Sequence, residues 1–139
     1  MKYFRSHYFY SSLILILNIF AVTALFKIIP ERRWAATIAG ALFIFWPLLL
    51  MYWEWIFYKK TQKLSWLWLL SLLQFLILFA IPIFYTRVVH WNSEFQSLFI
   101  AGIPAESMHR YANKSYSIML LLGLAQWVKF CFLTTKNKS

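Results

Sequence analysis

Four apolar stretches constrain this chain more than any other feature. They cover residues 9–29, 34–57, 66–85 and 115–133. Each is about 19 to 24 residues long, enough to cross a hydrocarbon core at about 1.5 Å of helical rise per residue. Lipid offers no water to backbone N–H and C=O groups, so only helices and closed barrels can span it. The stretches are continuously apolar, without the alternation of barrel strands. The expected fold class is therefore all-α: a polytopic transmembrane four-helix bundle, forming a single domain over residues 1–139.

Composition supports a lipid solvent. The chain is 62% hydrophobic and 22% aromatic, with only 13% charged residues; a soluble domain carries about 25%. Net charge is +10, but the basic residues sit in small groups between the apolar stretches. Lys2 and Arg5, Arg32 and Arg33, Lys59 to Lys63, Arg87, Arg110 and Lys114, and Lys136 and Lys138 follow the ends of the spans. That pattern fits lipid headgroups as partners and excludes a nucleic-acid face. Tyr8, Trp53, Trp55, Tyr58, Trp66, Trp68 and Trp127 fall at one expected interface, and Trp34, Tyr85, Trp91, Tyr111 and Tyr116 at the other.

Lys2 and Arg5 before the first stretch, with Ala21 to Ala24 inside it, resemble a secretory leader. The apolar run through Ile29 exceeds a usual leader core, so a retained span is expected. Pro30 and the charges that follow it end that span, and the short basic turn 58–65 makes the second and third spans antiparallel neighbours. With both termini cytoplasmic, that side carries seven basic residues against six opposite. The dense Lys59 to Lys63 turn favours this orientation, in a cell (inner) membrane. Pro47 and Pro82 should each release a carbonyl one turn back, at Phe43 and Leu78, and kink their helices. Ala36 and Gly40 lie on a small-residue face suited to close helix approach. The single Cys131 precludes an intramolecular disulfide.

Polar residues inside spans are costly and become the candidate site. Counting along alternating helices puts Asn18, Gln74 and Gln126 at similar depth, an expected layer of three amides. Glu54 and Lys129 also share a depth near one interface, and an ion pair between them is expected. Gln126 sits a turn from Lys129.

The connection 86–114 is expected to be helical and extracytoplasmic. Phe95, Leu98 and Phe99 have amphipathic spacing, with Asn92 or Ser93 as cap, Gly102 as stop, and Pro104 opening a second short helix through about Ala112. It carries His90 and Glu94, four apart, and Glu106 and His109, three apart. The latter is the Glu-x-x-His spacing of di-iron bundles. Such a site needs further carboxylates, and only Glu31 lies near, so no metal or cofactor is expected.

No phosphate-cradling glycine loop or nucleophile elbow is present. The first span lacks the intramembrane glutamate of small multidrug exporters, and the motifs of lipid-linked sugar flippases and membrane glutathione-pathway enzymes are missing. Three function classes remain. The leading one is a non-enzymatic membrane component assembling with other membrane proteins or a second copy of itself. The second is a small transporter or channel subunit using the amide layer with Glu54 and Lys129. The third is an enzyme on a lipid or lipid-linked substrate using the His and Glu residues of the connection.

Overall fold

The computed structural model describes residues 6–137. Lys2, Arg5 and Lys138 lie outside them. The helices are α1 (His7–Ile28), α2 (Arg32–Thr61), α3 (Trp66–Phe75), α4 (Ile81–Val89) and α5 (Ala105–Lys136). A π-helical turn, Leu76–Ala80, joins α3 to α4 into one long element, Trp66–Val89. Four helices are thus long and apolar enough to cross a membrane. They extend past the apolar stretches into the flanking polar residues, as far as Thr61 and Lys136.

Packing contacts run from α1 to α2, from α2 to the third long helix, from there to α5, and from α5 back to α1. The four helices therefore close a ring in chain order, with α2 and α5 across its diagonal. Large buried side chains, Leu15, Leu50, Trp68, Leu72 and Met119, fill one half of its interior. Hydroxyls on the outside are satisfied locally: Thr23, Thr37 and Thr134 each donate to the carbonyl four residues back.

Two glycines mark close approaches. A Cβ on Gly123 would lie 2.8 Å from Ser12 Oγ and 2.9 Å from Trp68 Cζ3, so α1, α3 and α5 meet there. A Cβ on Gly40 would lie 2.9 Å from Phe84 Cδ2, which confirms the small-residue face as a contact of α2 with α4. A π-helical turn precedes Pro82 in its helix. The turn before it widens, and Ile81 N–H donates to the Leu76 carbonyl five residues back. At Pro47 the helix continues unbroken.

The connection departs from expectation. Only one 3-10 turn, Phe95–Ser97, forms, followed by a hairpin of β1 (Phe99–Ile100) and β2 (Ile103–Pro104). Its two-residue turn has φ of 50° at Ala101 and 80° at Gly102. Positive φ at both positions matches a type I′ turn, where glycine avoids steric cost. A single amphipathic turn cannot offset the cost of helix nucleation, whereas the hairpin buries Ile100. Gly102 is therefore a hairpin turn and not a helix stop. A helix does follow Pro104, but it does not end near Ala112. Buried Ala105, Met108, Ala112, Ser115 and Met119 continue one face straight into the fourth span.

Candidate functional site

The end of the ring nearest the 62–65 turn holds a buried carboxylate. Glu54, on α2, is 0% exposed. Its Oε1 accepts from Tyr8 OH at 3.1 Å and from Ser65 N–H at 3.3 Å. Its Oε2 shares a hydrogen bond with His7 Nε2 at 2.6 Å. Tyr8 and Phe57 flank the imidazole, with ring centroids 3.8 and 3.9 Å away. Ser65 is the N-cap of α3, its Oγ accepting from Trp68 N–H at 3.4 Å. Glu54 thus ties α1 to α2 and places negative charge at the positive end of α3. These contacts compensate a group whose isolated burial would be prohibitive.

The expected Glu54–Lys129 pair does not form: the ion-pair partner of Glu54 is His7, and Lys129 is exposed on α5. Equal depth sets height along the membrane normal but not position around the ring, and α2 and α5 face each other only across the diagonal. His7 was legible. It is the twenty-second residue counted back from the end of α1, and Glu54 the twenty-third counted forward along α2. The hairpin of these two helices puts them at one height. Starting the first span at residue 9 leaves His7 outside it.

The amide layer also does not assemble. Asn18 is buried, Gln126 half-buried and Gln74 exposed. Asn18 Nδ2 donates to Tyr116 OH at 3.4 Å, and Tyr116 OH donates to the Leu15 carbonyl at 2.6 Å. Tyr116 is the partner that depth counting missed. Its ring also meets Phe43 and Phe75 edge-on, each at 5.3 Å.

The opposite end, beside the 90–104 connection, holds two cavities. One of about 560 Å³ lies inside the ring, between all four long helices. Ala36, Ala39, Gly40, Ala80 and Ala112 make its walls small, and Phe43, Phe75 and Tyr116 close it toward the packed half. The other, of about 490 Å³, is lined by Arg32, Arg33, Arg87, His90, Trp91 and Glu94 among others. Arg87 lines both. Its guanidinium stacks 4.0 Å from the Phe95 ring. Among the described residues no carboxylate lies within ion-pair distance of Arg32, Arg33 or Arg87.

The four polar residues of the connection are dispersed. His90 and Glu94 line the basic cavity, His109 lines the apolar one, and Glu106 is exposed on the first turn of α5. Among the described residues no three His, Cys, Asp or Glu side chains gather as a metal site would require. No protein-family model, curated protein or solved structure matches this chain.

Proposed function

We propose that the chain is a non-enzymatic, four-span component of a cell (inner) membrane, folded as one up-down-up-down bundle with both termini cytoplasmic. One observation carries the reading: the polarity of the helices is inside out. Phe20, Phe45, Ile77, Leu121 and Phe132 are exposed along the four helices, while Glu54, His7, Asn18 and Ser11 are buried. Water would penalise that arrangement and acyl chains favour it. Glu54 is engaged with His7, and Tyr116 with Asn18 and the Leu15 carbonyl, which suits a structural role better than a reacting one. The outward aromatic and aliphatic surface is the candidate contact for other membrane proteins or a second copy.

Topology labelling tests this reading. In a Cys131→Ser background, Gln96→Cys should react with a membrane-impermeant maleimide on intact cells. Lys63→Cys should react only after permeabilisation. Reversed labelling would overturn the orientation. Labelling of both sites from outside, or release of the chain by alkaline carbonate, would overturn four spans.

A further inference from the structure

The two cavities meeting at Arg87 differ in chemistry in a way that suits one amphiphilic ligand. The inner one is walled by Val22, Phe26, Ala36, Phe43 and Ile83, with Tyr116 at its base. An apolar chain finds dispersion contacts with these side chains there. The outer one brings three guanidiniums together against the single carboxylate of Glu94. Guanidiniums form forked, charge-assisted hydrogen bonds to phosphate, and His90 and Trp91 stand beside them. Arg87 is the hinge between the two. It is half-buried at the end of a membrane-length helix, and its contact with Phe95 leaves its charge unneutralised. A half-buried cation at the end of such a helix, with no carboxylate of the described residues in ion-pair distance, is open to an anion from outside the chain. Each volume falls within the range of about 300–1,000 Å³ usual for ligand sites.

We propose that these cavities form one site for an anionic phospholipid, its phosphate held by Arg32, Arg33 and Arg87 and an acyl chain inserted between the four helices. The proposal rests on the four-span reading. It deepens that reading by naming the lipid class and the side of the bundle that takes it. The basic 59–63 turn lies at the other end of the ring and has no part in the site. A free soluble anion would use the guanidiniums but not the apolar cavity, so the two halves of the site can be tested separately.

The test uses the full chain in phosphatidylcholine nanodiscs containing a minor fraction of phosphatidylglycerol, with retained lipid read by native mass spectrometry. Phosphatidylglycerol should be retained over phosphatidylcholine. Arg87→Gln should reduce that preference about tenfold, the worth of one charge-assisted contact, and Arg87→Lys should restore part of it. Ala112→Leu, which fills the inner cavity without changing charge, should also reduce retention. Lys59→Gln with Lys60→Gln should not. Equal retention of both lipids, or insensitivity to both Arg87→Gln and Ala112→Leu, overturns the proposal. Displacement of the lipid by inorganic phosphate alone overturns the lipid as the source. Should Arg87→Gln fail to fold, Arg32→Gln with Arg33→Gln carries the same expectation. A chain that resists carbonate extraction yet shows no lipid preference refutes this site alone; a chain that carbonate releases refutes the four-span reading.

Discussion

The two ends of the helical ring are built from the same four helices and differ in almost everything else. At the turn end, Trp68, Leu15, Leu50 and Met119 fill the interior, and a buried carboxylate is held by three hydrogen bonds. At the connection end, Ala36, Ala39, Gly40, Ala80 and Ala112 occupy corresponding inward positions, and a cavity remains between the helices. The edge-to-face group of Phe43, Phe75 and Tyr116 divides the two regions. Side-chain volume differs between an end that is packed and an end that keeps a cavity. In lipid, helices associate through packing and interhelical hydrogen bonds more than through apolar burial. A helix array can therefore be tight at one end and open at the other without losing its apolar outer surface.

Substitutions should respect that division, and they rank by size. The largest effect is expected for Glu54→Ala, which leaves His7, Tyr8 OH and Ser65 N–H without their partner. Breaking a buried pair costs about 3–5 kcal/mol, read by chemical unfolding in micelles. A loss below about 1 kcal/mol would mean that the turn end is not held by this group. Gly123→Ala comes next. Its methyl must displace Ser12 and the Trp68 ring, at a cost of about 1–3 kcal/mol. Gly40→Ala meets only the ring edge of Phe84 and should cost less; equal costs would erase the contrast between the ends. Tyr116→Phe removes the bond to the Leu15 carbonyl and should lower stability by about 1 kcal/mol in the same assay. The smallest effects are expected for Ala112→Leu, which has a cavity to enter, and for Lys129→Gln on the exposed surface. Both should stay within about 0.5 kcal/mol. A large loss at Lys129 would revive a role for that charge.

Much of this arrangement was legible along the chain, and its failures have one origin. Apolar run length located all four helices, because that pattern is local and repeats at every turn. The need for a partner at Glu54 followed from its short side chain and its depth. Which partner it takes depends on the order of helices around the ring, which depth does not encode, so the expectation fell on Lys129. The same gap let Gln74 and Gln126 join Asn18 at one height although Gln74 points outward. Residues 95–102 failed for a different reason. Their spacing fits a helical turn, but so short a segment is governed by what Ile100 can bury against and by the positive φ at Ala101 and Gly102.

The sequence by itself determined four helices long and apolar enough to cross a membrane, and that Glu54 would need a partner if buried. These follow from solvation and hydrogen bonding, which act on each segment separately. The tertiary structure alone decided the pairing of Glu54 with His7, of Asn18 with Tyr116, and the placing of Arg87 between a basic cavity and an apolar one. Those depend on the rotation of each helix about its axis and on its neighbours around the ring. Both are settled only when all four helices pack together.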